Sequence, residues 1–77
     1  MQNVEQRVKN CFAKQFGMAS ENMQSENTLR DFGGDSLDQL ELLMWIEEEF
    51  DLEIPDEEGL KWNTVQQCID YVMERTK

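Results

Sequence analysis

The sequence predicts an all-α fold, a small bundle of four helices with three main helices, a short third helix and a long loop between helices 1 and 2. Its length of 77 residues leaves room for a single domain, 1–77, built around one core. Apolar residues recur at helical spacing along most of the chain. No segment alternates apolar and polar residues as a half-buried strand does.

The first helix is expected over residues 3–16, followed by a long loop. The apolar side chains of this segment fall on one stripe of a helix, formed by Val4, Val8, Cys11, Phe12 and Phe16. Gly17 follows immediately and is a typical C-terminal stop. Residues 18–35 are rich in Ser, Asn, Gln and Gly, which predicts a loop with room for one short turn of helix. Loops of this length are often functional.

The second helix is expected over residues 36–51. Ser36 is the expected N-cap, with Gln39 completing a capping box. Pro55 prevents the helix from continuing. The acidic residues after Pro55 favour the first turn of a short third helix that ends near Trp62.

The last helix is expected over residues 64–75. Asn63 is the expected cap and Gln66 its capping-box partner. Arg75 lies near the C-terminal end, where a cation is favourable. The expected inner stripe consists of Val65, Ile69, Val72 and Met73.

The second helix has more apolar surface than one core contact requires. At 3.6 residues per turn, the core face consists of Leu42, Leu43, Ile46 and Phe50. Leu37, Leu40 and Met44 form a second stripe among acidic residues. This stripe either covers the edge of the core, since single exposed apolar residues are common, or forms a docking surface for a basic partner with an apolar groove.

The charge distribution favours a docking surface. Seventeen acidic residues against seven basic ones give a net charge of −10. Twelve of the acids lie between Asp31 and Glu58, and no Lys or Arg occurs from Asp31 to Leu60. Such a chain repels nucleic acids and anionic membrane surfaces, although a merely solvated acidic face remains an alternative. With neither a membrane-spanning segment nor a signal peptide, a soluble cytoplasmic protein is expected. We also expect it to be a monomer.

The composition also argues against catalysis. The chain contains no histidine, which excludes Ser-His-Asp and Cys-His catalysis. Cys11 and Cys68 are too few for a disulfide scaffold and lack the spacing of a zinc site, so no metal is expected. A domain this small can hardly enclose an active site. We therefore expect a module on which enzymes act.

One serine lies where another protein could reach it. Gly33 and Gly34 precede Asp35 and Ser36, so a partner's active site could approach the backbone closely. A phosphate on this hydroxyl would meet free backbone N–H groups at the start of the helix. The plain alternative is that Ser36 only caps the helix.

The chain resembles the acyl carrier proteins of bacterial fatty-acid synthesis over nearly its whole length. The resemblance rests on Asp35-Ser36-Leu37-Asp38, on Glu41-Leu42 with Ile46-Glu47-Glu48-Glu49-Phe50, and on Glu53-Ile54-Pro55-Asp56-Glu57-Glu58. It implies that Ser36 carries a 4′-phosphopantetheine arm, transferred from coenzyme A by a phosphopantetheinyl transferase. Asp35 and Asp38 would present Ser36 to that enzyme. The thiol of the arm, and neither cysteine of the chain, would hold the acyl thioester.

The resemblance also implies a docking surface and a cargo cleft. Ketoacyl synthases, reductases, dehydratases and acyltransferases with basic surfaces would contact Leu37, Leu40, Glu41, Met44, Glu47 and Glu48. The acyl chain would lie in an apolar cleft between the second and third helices, for which the candidates are Leu42, Ile46, Ile54, Gly59, Trp62 and Cys68. Trp45, Leu60 and Trp62 depart from the usual family pattern. They indicate either an unusual cargo or ordinary drift.

Three other interpretations compete with an acyl carrier. An aminoacyl or peptidyl carrier is suggested by the Gly-Gly-Asp-Ser-Leu run, although the acidic second helix favours fatty-acyl or polyketide chemistry. An acidic interaction module would leave Ser36 unmodified. A calcium-binding loop starting at Asp31 fails, because it would need Gly at Ser36 and Glu at Leu42.

Overall fold

The structure is a computed structural model that describes residues 3–24 and 26–76. Four α-helices make up the fold in these ranges. The helices are α1 (Val4–Phe16), α2 (Ser36–Phe50), α3 (Asp56–Gly59) and α4 (Val65–Arg75). In the described ranges no strand forms, and an isolated bridge joins Thr28 to Thr64. The predicted helical bundle is confirmed. The loop between α1 and α2 contains two 3₁₀ turns, Ser20–Asn22 and Leu29–Phe32, where one short turn was expected.

Helix α1 begins and ends as the sequence predicts. The Asn3 side chain accepts a hydrogen bond from the Gln6 backbone N–H at the start. Gly17 adopts a left-handed conformation with φ of 65° at the end, and its N–H donates to the Ala13 carbonyl. Residues with a Cβ rarely adopt this φ, so glycine is the favoured residue at this stop.

Helix α3 is shorter than predicted. It ends at Gly59, three residues before the expected end at Trp62. The Gln39 side chain holds the carbonyls of Leu60 and Trp62, and the Trp62 side chain is buried. These contacts with the rest of the fold turn the chain out of the helix.

The N-cap of α4 lies one residue later than expected. Thr64, and not Asn63, is its N-cap: the Thr64 hydroxyl accepts the Gln67 N–H, and the Gln67 side chain accepts the Thr64 N–H. The predicted pair of Asn63 and Gln66 is therefore wrong. Thr64 is extended because it bridges to Thr28, and the helix can start only after it.

Helices α1, α2 and α4 and the connecting segments contribute to one core. Its buried residues are Val8, Cys11, Phe12, Met23, Leu29, Leu42, Leu43, Ile46, Ile54, Trp62, Val65, Cys68, Ile69 and Val72. The inner stripe predicted for α4 is wrong at Met73, which is half exposed. Cys68 takes an inner position instead, three residues after Val65 on the same face of the helix.

Basic α1 pairs with the acidic C-terminal end of α2. The Arg7 guanidinium lies 2.8 Å from a carboxylate oxygen of Glu49, and it donates to the Glu49 backbone carbonyl. It also lies 4.3 Å from the centre of the Phe50 ring. These contacts hold the C-terminal end of α2 against α1. Within the described ranges, no helix is long and apolar enough to cross a membrane.

Candidate functional site

Ser36 is the first residue of α2, and it is exposed. The prediction that Ser36 caps α2 is wrong, because Asp35 holds that position. An Asp35 carboxylate oxygen accepts the Asp38 N–H at 3.1 Å, and an Asp38 carboxylate oxygen accepts the Asp35 N–H at 3.0 Å. Among the residues that the structure describes, no hydrogen-bond partner contacts the Ser36 hydroxyl. The hydroxyl is therefore free to react.

The two glycines before the site bring the chain close to α1. Gly33 ends the second 3₁₀ turn with φ of 76°, and the Gly34 N–H donates to the Leu29 carbonyl. A Cβ at Gly34 would lie 2.9 Å from the Phe16 ring and 3.1 Å from the Leu29 carbonyl oxygen. Only glycine fits here without displacing these atoms. The close approach sets the path of the chain into Ser36.

A groove of about 510 Å³ opens beside the serine. We call it the Ser36 groove; its lining includes Thr28, Arg30, Gly34, Ser36, Gln39 and Asn63. These side chains supply two hydroxyls, two amides and one cation, and the Asp35 carboxylate also lines the groove. The Asp38 N–H is taken by the Asp35 carboxylate, whereas the N–H groups of Ser36 and Leu37 precede any intrahelical partner and can meet an anion. The groove therefore suits a phosphate-linked polar arm attached at Ser36.

The second apolar stripe of α2 is partly exposed. Leu37 and Met44 are each 64% exposed, which separates them from the buried Leu42 and Ile46 on the core face. Leu40 differs from both, because it is half-buried and packs against the core. The prediction that Leu37 and Met44 lie outside the core is confirmed, whereas Leu40 lies at its edge.

The acidic residues of the expected docking surface have different surroundings. Glu41 and Glu48 are exposed. The Glu47 carboxylate instead accepts the backbone N–H of Ile54 at 2.9 Å, so it holds the chain that leaves α2. A partner would meet Glu41 and Glu48 more readily than Glu47.

Trp45 adds a contact that the sequence did not reveal. Its ring is 39% exposed, and its N–H donates to the Gln15 side chain on α1. The Gln15 amide in turn donates to the Asp38 carboxylate. The Lys14 ammonium lies 5.4 Å from the centre of the Trp45 ring. Trp45 and the start of α2 are therefore linked through one glutamine of α1.

The six candidates for an acyl cleft lie in the core. Leu42, Ile46, Ile54, Gly59, Trp62 and Cys68 are all buried. The approach between α2 and α3 is close, because a Cβ at Gly59 would come within 2.7 Å of a Leu43 methyl carbon. An acyl chain entering between these helices must move Leu43 or α3.

Neither cysteine of the chain is placed to carry a thioester. Cys11 and Cys68 are free and buried. Burial raises the pKa of the Cys11 thiol from 9.0 to about 11, and it raises the pKa of Cys68 as well. Both thiols therefore stay protonated and inaccessible at neutral pH, which makes them poor nucleophiles.

A small helical bundle with a free serine at the start of its acidic helix is the arrangement expected of a carrier protein, and comparisons with known proteins place the chain in a family. The family described as "Phosphopantetheine attachment site" matches residues 6–72. Among solved structures, the chain is similar to the crystal structure of an acyl carrier protein from Thermotoga maritima. The two share 39% sequence identity and a TM-score of 0.66, with 88% of each chain covered.

The chain belongs to the phosphopantetheine-bearing carrier family, as a protein of the acyl carrier type. Members of this type are carriers without catalytic activity, and the group that they bear is 4′-phosphopantetheine. They interact with a phosphopantetheinyl transferase and with biosynthetic enzymes.

Proposed function

We propose that Ser36 bears the 4′-phosphopantetheine arm, and that the chain, as one carrier domain, delivers acyl thioesters to enzymes of fatty-acid or polyketide biosynthesis. The observation that supports this proposal best is the unbonded hydroxyl of the exposed Ser36 beside its groove. When attached, the arm supplies a flexible thiol that holds the acyl group. Tethering raises the effective concentration of the cargo at an enzyme docked on the carrier.

Asp35 and Asp38 are proposed to present the serine to the transferase. Their carboxylates cap the first turn of α2 reciprocally, which leaves the hydroxyl between them without a structural task. Asp38 is held further by the Gln15 amide at 3.1 Å. The chain therefore offers the nucleophile in a fixed position, and we infer that the transferase supplies the catalytic groups.

Docking is proposed on the exposed side of α2. Leu37 and Met44 offer apolar contacts, while Glu41 and Glu48 offer negative charge beside them. A partner of complementary chemistry has a shallow apolar groove bordered by Lys or Arg. Ketoacyl synthases, reductases, dehydratases and acyltransferases are the enzyme classes proposed to bring such a surface.

The cargo is proposed to shelter among the buried cleft candidates. The close packing of Gly59 on Leu43 means that this space must be opened, and Trp62 occupies part of it. A chain with this packing would favour cargo of a particular size. The two buried, free cysteines fit a reducing compartment such as the cytoplasm, where we propose that the carrier works.

Loading with coenzyme A tests the attachment site. The protein is incubated with coenzyme A and a broad-specificity phosphopantetheinyl transferase, and the intact mass is then measured. We expect the parent to gain one phosphopantetheine and Ser36→Ala to gain none. Ser20→Ala is the matched control and should load as the parent does, because Ser20 lies on another segment and only accepts a hydrogen bond from Gln6. A parent without any gain in mass would overturn the carrier proposal.

A further inference from the structure

Gln39 makes two hydrogen bonds that the attachment of the arm does not require. Its side-chain amide donates to the Trp62 carbonyl at 2.9 Å and to the Leu60 carbonyl at 3.3 Å. Gln39 lies one helical turn after Ser36, and both residues line the Ser36 groove. The same side chain therefore faces the site of attachment and holds a distant part of the chain.

The part that Gln39 holds is the connection from α3 to α4, residues 60–62, which we call the 60–62 segment. Its own backbone N–H groups bond locally to the preceding turn, for example from Trp62 to the Gly59 carbonyl. In the described part of the chain, both hydrogen bonds that join this segment to α2 come from Gln39. The attachment of the segment to α2 by hydrogen bonds thus depends on one side chain.

The 60–62 segment covers the apolar interior. The Trp62 side chain is 4% exposed and packs with its edge against Tyr71, with 5.4 Å between ring centres. At the end of α3 just before the segment, Gly59 lies against Leu43. Displacing the segment would uncover the core beside α2, within reach of anything tethered at Ser36.

We propose that Gln39 is a positioning residue that controls whether cargo carried on Ser36 enters the core, because it holds the 60–62 segment against α2. This inference rests on the proposed function. Cargo that enters must separate the segment from α2, which leaves the Leu60 and Trp62 carbonyls without their donor. Each hydrogen bond makes entry harder by about fivefold, the equivalent of about 1 kcal/mol. Short cargo stays outside in the parent, and longer cargo enters only when apolar burial exceeds this cost.

The variants are chosen to remove the donor and little else. Gln39→Leu keeps the approximate size of the side chain without any donor. Gln39→Glu keeps the shape, loses the donor and places a carboxylate against the two carbonyls. Gln66→Leu is the matched control, because Gln66 is an exposed glutamine whose amide bonds to Asp70 within α4.

The experiment measures the shelter that each variant gives to its cargo. The parent and the variants are loaded with acetyl- or octanoyl-phosphopantetheine, and cleavage of the thioester by hydroxylamine is followed by intact mass. For each protein we take the rate of cleavage of the octanoyl thioester divided by that of the acetyl thioester. We expect this ratio to be lower in Gln39→Leu and Gln39→Glu than in the parent, by up to about fivefold for each hydrogen bond removed. Gln66→Leu should match the parent. A loss of structure alone would expose the cargo, so it would leave the rate unchanged or increase it.

Hydrogen exchange checks the segment itself. In unloaded Gln39→Leu, the amides of residues 60–62 should exchange faster than in the parent, while those in the middle of α1 should not change. In the cleavage experiment, the inference would be overturned if the ratio of the octanoyl to the acetyl cleavage rate in both Gln39 variants were equal to that of the parent or above it. If the parent does not load at all, the intact mass shows this first, and the proposed function fails together with the inference that rests on it.

Discussion

The start of α2 provides a sharp test of the site, because the structure assigns capping to Asp35 and leaves Ser36 free. In Asp35→Ala the Asp38 N–H loses its acceptor, which lies at 3.1 Å in the parent. Loss of such a cap lowers the free energy of unfolding by about 1 kcal/mol. In a domain of this size that corresponds to a decrease in Tm of roughly 4–8 °C.

Two comparison variants separate the effect of the cap from that of the charge. Asp35→Asn keeps a good cap and removes one negative charge, so any relief of repulsion along the acidic helix appears in this variant alone. Ser36→Ala removes from an exposed residue a hydroxyl without a hydrogen-bond partner, and its free energy of unfolding should stay within about 0.5 kcal/mol of the parent. Urea unfolding of the unloaded proteins at one salt concentration, followed by circular dichroism, measures all three.

The reasoning fails if the order is reversed. A loss of about 1 kcal/mol in Ser36→Ala, with Asp35→Ala close to the parent, would show that the serine caps the helix. The hydroxyl would then have a structural task, and the main support for its role as attachment point would be lost.

Three further predictions concern packing, pH and docking. Gly59→Ala should lower the free energy of unfolding by about 1–3 kcal/mol, because the new Cβ would lie 2.7 Å from a Leu43 methyl carbon. Urea unfolding should show that the loss caused by Gly59→Ala is smaller when Leu43→Val is also present. Equal losses with and without Leu43→Val would contradict the clash. Stability should decrease between about pH 9 and pH 11, because the raised pKa values of Cys11 and Cys68 keep in the folded state protons that the unfolded chain releases. Since Cys68 contributes over the same range, Cys11→Ala should show a smaller decrease in stability, and an identical decrease would refute the contribution of Cys11. Glu41→Gln and Glu48→Gln should each raise the Kd for a basic ketoacyl synthase several-fold at low salt, and by a smaller factor at high salt. Titration calorimetry at two salt concentrations measures these Kd values. Binding that does not depend on salt would exclude the electrostatic part of the docking proposal.

The sequence predicted those features of the fold that depend on repeated patterns. Helical periodicity separates α2 into a buried face at Leu42 and Ile46 and an exposed stripe at Leu37 and Met44. The stop of α1 follows from Gly17, because glycine adopts the left-handed conformation that ends a helix. Periodicity does not depend on how the helices cross, so it can be read before the fold is known.

The helix caps could not be predicted to the residue. Asp35 and Ser36 are both good N-caps, and the same is true of Asn63 and Thr64. The choice depends on the backbone angles of one residue, which the rest of the fold sets. Thr64, for example, is extended because it bridges to Thr28, far away in the sequence.

The side-chain links across helices also lay beyond the sequence. Gln15 meets Trp45 and Asp38 only because α1 and α2 pack in one particular register. Gln39 looked like half of a capping box, yet its amide reaches the 60–62 segment. A glutamine can serve either purpose, and only the three-dimensional arrangement shows which.

Localising the modification within the chain tests the central claim most directly. No Lys or Arg occurs between Arg30 and Lys61, so trypsin releases residues 31–61 as one peptide, in which Ser36 is the only residue with a hydroxyl group. After loading with coenzyme A and the transferase, mass spectrometry should find the phosphopantetheine on this peptide and on no other. A modification on a different peptide, or an unmodified 31–61 peptide after complete treatment, would contradict the assignment of Ser36.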